Sequence, residues 1–383
     1  MQIKGLRFCL MMAACLPVLA SAAEAPPLEA EISDVATMPA GKAHRFYATS
    51  LEKGAVIYDS DTGKMEGQVP TNYHADVALA RDGSRIFVAE TVYSHGNRGD
   101  RTDLLAVYDA SSLDLIKDVA LPGRALADHK PQNLAISADG GTAYVYNMHP
   151  ASSVIWVDLK KLAVGGSIDI PGCSLVFPWG SGGFSSLCGD GSLATVTIAG
   201  GTGKISHTKP FFDANKDPIF ENSLVDTESG RALFITYTGL VYSVRLGAEP
   251  AIDKPWSIQA AAGQPVAGTG VEELAWRPGG FQLAAWHKAS GRLFVLMHPG
   301  NFWSHKDPGA EIWSIDIKTH KVVKRIVLPS GGSFVALGVS QDAAPQLYAI
   351  TEAGGDVVID PDSGEVLRKI ETAGGSGVLT VGN

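Results

Sequence analysis

Cysteine is scarce in this chain of 383 residues: there are four, and Cys9 and Cys15 fall in an N-terminal leader, which leaves Cys173 and Cys188. Two cysteines cannot build a disulfide-dense mini-scaffold or a multi-thiol metal cluster. Charge is also sparse, at 19% of residues with a net −9, and no basic patch recurs along the chain. Nucleic acid is therefore excluded as a partner. Past the leader there is no apolar run long enough to span a bilayer. Helical periodicity is missing too, and no amphipathic helix longer than about three turns is expected. No Gly-rich cradle follows a strand, no Ser sits in a Gly-x-Ser-x-Gly elbow, and no His-Glu-x-x-His occurs. The ten histidines are scattered. His298, His305 and Asp307 share one loop, but a third spaced ligand is wanting, so these side chains are expected to shape the loop by hydrogen bonding and no metal site is predicted.

The leader carries Lys4 and Arg7 ahead of the apolar stretch Phe8 to Ala20, followed by small residues that offer cleavage after Ala22 or Ala23. This is the pattern of an export signal, and it places the chain in the periplasm. An uncleaved anchor and a lipoprotein site at Cys15 are the weaker alternatives. Residues 1–23 read as the signal peptide, 24–30 as a flexible Ala/Pro/Glu-rich segment, and 31–383 as one folded domain. In an oxidising compartment Cys173 and Cys188 should join, closing a turn-rich loop worth on the order of 3 kcal/mol. The rival, a two-thiol metal site, lacks a nearby His or acidic ligand set.

What the chain does contain is a phrase that returns seven times. An apolar strand ends near Asp or a small polar residue, a Gly- or Ser-marked turn follows, and a second short strand begins. The copies lie at Val56–Asp59, Val107–Asp109, Val157–Leu159, Ala194–Val196, Val241–Val244, Trp313–Asp316 and Val358–Asp360. A second phrase alternates with it, a strand hairpin turning at Asp82-Gly83, Asp139-Gly140, Ser229-Gly230, Ser290-Gly291 and Gln341-Asp342. Intervals of roughly 40 to 50 residues, with one of roughly 70, are those of four-stranded propeller blades. The prediction is an all-β, seven-bladed β-propeller of antiparallel blades. The orphan run Gly377–Val381 should complete the first blade and remove two open edges.

The long interval, from Tyr242 to Trp313, holds an insertion with Trp256, Trp276 and Trp303, a composition that favours an ordered binding surface over disorder. Arg98-Gly99-Asp100-Arg101-Thr102-Asp103 is a dense polar cluster, either a salt-bridged turn or a docking patch.

These stretches, taken together, resemble a known family. Besides Arg98–Asp103, the carriers are Cys173 with Cys188–Leu193, Asp217–Phe220, Tyr237–Gly239 with Val241–Ser243, and Pro255–Ser257. The densest run is Trp276–Gln282, followed by His287–Arg292, Met297–Pro299, His305-Lys306 and Ala310–Trp313. From about Phe46 to the C-terminus the chain resembles the heavy, non-catalytic subunit of the quinoprotein amine dehydrogenases, the methylamine and aromatic amine dehydrogenases. Met297–Pro299 and Ala310–Trp313 look closer to the aromatic amine branch.

The resemblance implies a seven-bladed propeller in a periplasmic assembly of two heavy and two light subunits, with the single disulfide on Cys173 and Cys188. It implies that the light subunit carries tryptophan tryptophylquinone and the catalytic base, so no catalytic residue or cofactor is expected in this chain. The reaction would be oxidative deamination of a primary amine, with electrons leaving to a small copper protein of the azurin or amicyanin type. Candidate subunit-interface residues are Arg98, Arg101, Asp103, Trp276, Arg277, His298 and His305. Relatives narrow the substrate channel with an aromatic residue in a longer first-blade loop. Here Ser50–Gly54 is short and has no Phe, so Leu51 is the channel candidate, with Tyr73 and Tyr93, and a wider channel for bulkier amines is expected. The alternatives are a stand-alone exported propeller that only binds, or a lactonase-like hydrolase. The latter needs a convergent acid or metal cluster at the central mouth, and the sequence shows none.

Overall fold

The computed structural model describes residues 37–382 apart from Glu52 and Ala127. The predicted signal peptide, the 24–30 segment and the first residues of the predicted domain lie outside the described residues. No described helix is long and apolar enough to cross a membrane.

Seven antiparallel sheets follow one another along the chain. Blade 1 runs over residues 45–69, blade 2 over 73–120, blade 3 over 134–169, blade 4 over 173–207, blade 5 over 224–257, blade 6 over 275–327 and blade 7 over 334–370. All have four strands except blades 5 and 6, each of which adds a fifth short one. The last strand, Gly377–Thr380, pairs antiparallel with Arg45–Ser50, setting Phe46 opposite Thr380 and Thr49 opposite Gly377. The C-terminus thus supplies the innermost strand of blade 1, as predicted, and brings that blade to four strands.

The repeated Asp has a physical task. It ends the third strand of a blade and accepts backbone N–H groups two and three residues on, which fixes the turn into the fourth strand. Asp109 takes Ser111 N and Ser112 N, Asp158 takes Lys160 N and Lys161 N, and Asp316 takes Lys318 N and Thr319 N. Asp360 does the same for Asp362 and Ser363, and Asp59 holds Asp61 N and the Thr62 hydroxyl. Between blades the apolar faces meet in successive clusters. Tyr47, Ile57, Val77 and Val88 join blades 1 and 2, and Phe46, Tyr58, Tyr348 and Ile350 join blades 7 and 1. The core is therefore a torus rather than a single centre.

Antiparallel order separates the connections. First-to-second and third-to-fourth turns leave one face, the turn face. Second-to-third turns and blade-to-blade crossings leave the other, the loop face. The insertion belongs to the loop face and is ordered. Trp256-Ser257 adds to blade 5, and Ser257 caps a short helix, Ile258–Ala261, by accepting Ala260 N. The inner strand of blade 6 is split into Ala275–Pro278 and Ala284–His287, with Gly279-Gly280 at the break.

Candidate functional site

Every residue singled out for the channel or the interface lies on the loop face, and the structure divides them into separate places. The central mouth is a cavity of ≈ 440 Å³. Leu51, at the tip of the short first-blade loop and 56% exposed, lines it. So do His129, Glu221, Phe281 and Lys306, and the exposed Asp128 and Glu352. The sequence alone predicts no convergent acids here. The difference arises because these residues come from separate crossings and loops of different blades, which only ring closure brings together. Glu221 accepts from Lys130 Nζ at 3.2 Å and from Lys306 Nζ at 2.5 Å. Burial alone would raise this carboxyl, but the two ammonium groups outweigh it and hold it at about 2. His129 Nδ1 lies 2.7 Å from Asp76 Oδ1. Burial disfavours its charged form, yet the Asp76 carboxylate prevails and its pKa is raised.

Tyr73 and Tyr93 do not share the mouth with Leu51. Their rings meet edge to face at 6.2 Å, and they line a cleft of ≈ 70 Å³ on blade 2 with His74, Arg101 and Arg124. Arg98 is exposed at the tip of the long second-blade hairpin, where Gly96 and Gly99 take positive φ. Arg101 and Asp103 pair with each other at 2.8 Å, and Asp103 also accepts from Thr91 Oγ1 and Arg124 N. The Asp103 carboxylate is thus committed within the chain, while Arg98 stands exposed.

Two interface candidates are buried. Arg277, 1% exposed, donates to the carbonyls of Gly268, Glu273 and Gly300 and sits 5.7 Å over Phe302. His298 is also buried, and burial lowers its pKa. Neither side chain is at the surface, because Arg277 lies on the split inner strand and His298 stands opposite it on the next strand of blade 6. Trp276 is half-buried on Trp313 and Arg325. His305 stacks on Tyr237 at 4.0 Å, and Trp303 beside it is 57% exposed. A mainly apolar groove of ≈ 350 Å³ continues the loop face across blades 3 to 5, lined by Leu126, Met148, Leu187 and Phe212.

Asp356 begins the third strand of blade 7 at its loop-face end. It is buried without a cation and accepts from Thr351 N at 2.8 Å and Thr372 Oγ1 at 2.7 Å. Burial pushes its pKa up to about 6. A carboxyl raised above its ordinary value near 4 contributes most below that value and loses stability as pH rises through 6. Asp356→Asn should therefore stabilise the chain at pH 8, by up to about 3 kcal/mol, and give nothing below about pH 4. Urea midpoints at the two pH values decide this, and a gain independent of pH would refute it.

Cys173 and Cys188 face each other in register on the inner hairpin of blade 4 and are joined in a disulfide, as expected. The sequence alone predicts no His near them. The structure places one there: His207, at the end of the outer strand of the same blade, sets Nδ1 3.9 Å from Cys188 Sγ. Among the described residues, Cys173, Cys188 and His207 form the one cluster of three metal-ligating side chains.

Comparison with known proteins places this geometry. Residues 42–382 match the family model of the methylamine dehydrogenase heavy chain. A methylamine dehydrogenase heavy chain of Paracoccus versutus is 30% identical, covering 90% of this chain and 81% of its own length. That of Methylorubrum extorquens is 31% identical over 83% of this chain and 76% of its own. Among solved structures, a dihydro-heme d1 dehydrogenase shares the fold at TM-score 0.57 and 16% identity, over 92% of this chain and 78% of that one. A Bacteroides fragilis protein proposed as a 6-phosphogluconolactonase does so at TM-score 0.58 and 10% identity, over 88% and 97%. At such identities these two likenesses speak for the propeller alone. The sequence relatives and the family model reach further: this chain belongs to the methylamine dehydrogenase heavy chain family.

Proposed function

We propose that the chain is the non-catalytic heavy subunit of a periplasmic, tryptophan tryptophylquinone-dependent amine dehydrogenase. It holds a light, quinone-bearing subunit in a two-heavy, two-light assembly and shapes the path of a primary amine. The amine leaves as aldehyde and ammonia, and the electrons pass to a small copper protein of the azurin or amicyanin type. The observation that carries this reading is the family match across nearly the whole described ring, residues 42–382. The quinone, which takes up the electrons of the amine, is assigned to the companion. The tryptophan pair that this chain brings close, Trp276 and Trp313 with ring centroids 5.4 Å apart, is packed around Arg325 as part of the blade 6 scaffold. The test is co-expression with the companion polypeptide. A small, cysteine-rich chain with quinone absorbance should co-purify, and this chain alone should show neither that absorbance nor amine turnover. Turnover by the purified single chain would end the reading.

Within it, Leu51 sets the width of the central mouth, and the short loop admits bulkier amines. In the assembled enzyme, Leu51→Phe should lower kcat/KM for phenylethylamine by about tenfold or more and leave methylamine nearly unchanged. An unchanged ratio of the two would remove Leu51 from the amine's path. A wild-type preference for methylamine would overturn the wide channel.

A further inference from the structure

We propose that blade 4 is a redox-gated metal site: once its disulfide is reduced, Cys173, Cys188 and His207 bind a borderline-soft ion of the Zn²⁺ class. This goes beyond the subunit reading and does not depend on it. The two sulfurs and His207 Nδ1 lie within 4.8 Å of one another. A tetrahedral zinc with Zn–S near 2.3 Å and Zn–N near 2.0–2.1 Å needs its ligand atoms roughly 3.5–3.8 Å apart. The 3.9 Å from Cys188 Sγ to His207 Nδ1 is therefore already close to ligand spacing. That placement follows from the sheet. The register sets Cys173 opposite Cys188 on the inner pair and His207 opposite Ala194 on the outer pair. His207 Nδ1 is otherwise only 3.4 Å from Ser192 Oγ, so its lone pair is not committed to a strong hydrogen bond. The imidazole is exposed while both cysteines are buried, which gives an ion an approach from solvent to a dry pair of sulfurs.

The steps balance. A dithiol reductant breaks the Cys173–Cys188 bond, leaves as its own disulfide, and yields two thiols. Zn²⁺ displaces both thiol protons to solvent, forms two Zn–S bonds and one Zn–N bond to neutral His207, and keeps one water as the fourth ligand. Two thiolates neutralise the ion, so the buried site carries no net charge. The inner hairpin is then stapled by the metal instead of by the covalent bond.

The experiment uses the full chain, reduced with a phosphine, desalted without oxygen and titrated with Zn²⁺ against a chromophoric chelator. The expected result is one Zn²⁺ per reduced chain and none per oxidised chain. Co²⁺ should give a thiolate-to-metal charge-transfer band. His207→Ala should weaken Zn²⁺ binding by at least about tenfold and leave the unfolding midpoint of the oxidised protein unchanged, since the ring is exposed. Bound Zn²⁺ should slow reoxidation of the thiols. If reduction loosens the fold, Zn²⁺ should restore the circular-dichroism signal, and failure to restore it counts against the proposal. Equal uptake by oxidised and reduced chains, or by His207→Ala and wild type, overturns it.

Discussion

Gln282→Leu should lower stability by about 3 to 5 kcal/mol and loosen the C-terminal strand before the rest of the ring. The side chain, buried at the axis, joins three blades. Its Nε2 donates to Leu337 O at 2.9 Å and to Val378 O at 2.8 Å, and its Oε1 accepts from Val378 N at 3.0 Å. Val378 is on the closing strand and Leu337 on the innermost strand of blade 7. Leucine matches glutamine in bulk but leaves one N–H and two carbonyls without partners in a buried setting. Each such group costs about 1–3 kcal/mol. The backbone bonds from Gln282 N to Val335 O and from Leu337 N to Gln282 O survive, so the junction of blades 6 and 7 should stay formed. The loss should therefore appear in a lower urea midpoint and in faster amide exchange over residues 377–380. Unchanged exchange there would show that strand pairing alone, without the glutamine clasp, holds the ring shut.

That clasp lies in the phrase Trp276–Gln282, and the phrase shows what the sequence can and cannot disclose. The blades are legible because the strand-ending phrase, with its Asp in five of the seven copies, recurs in the chain itself. The closing strand is legible because Gly377–Val381 has no hairpin partner nearby in sequence. The disulfide follows from export and arithmetic. The rest depends on closure. Arg277 reads as a surface cation because the phrase is rich in Gly and Pro, the marks of a loop. Only the split inner strand shows that Gly280, at φ 109° with Val335 O 2.6 Å from where a Cβ would stand, lets blade 7 approach and buries its neighbours. The charged mouth is illegible for a related reason. Asp128, Glu221, Lys306 and Glu352 are far apart in the chain, and each looks like an ordinary loop residue. His207 is missed because its nearness to Cys188 depends on register, not on spacing. Leu51 was within reach, since its loop is short whatever the fold does around it.

Arg124→Met should cost about 3 kcal/mol or more, and the deficit should grow with pH. Arg124 and Asp76 are both about 1% exposed at their side chains and form an ion pair beneath the mouth. The guanidinium also donates to His74 O at 2.6 Å. Removing one partner of a buried pair leaves an uncompensated charge, which costs about 3–5 kcal/mol. The lower end is expected here, because Arg124 Nε and Nη1 are themselves without partners and their burial already counts against the wild type. His129 then becomes the sole charged partner of Asp76, with Lys130 N still donating at 3.2 Å. Its raised pKa gives the sign: a histidine stabilised in its charged form contributes fully below its ordinary value near 6.5 and loses that contribution as pH rises through the folded value. In the variant the imidazolium carries what the arginine carried, so the difference from wild type should be smallest near pH 5.5 and largest near pH 8.5. The double variant Arg124→Met with Asp76→Leu should lie closer to wild type than Arg124→Met alone, since no lone charge remains. Parallel deficits at both pH values would mean that His129 does not compensate, and that the mouth is held by packing rather than by charge.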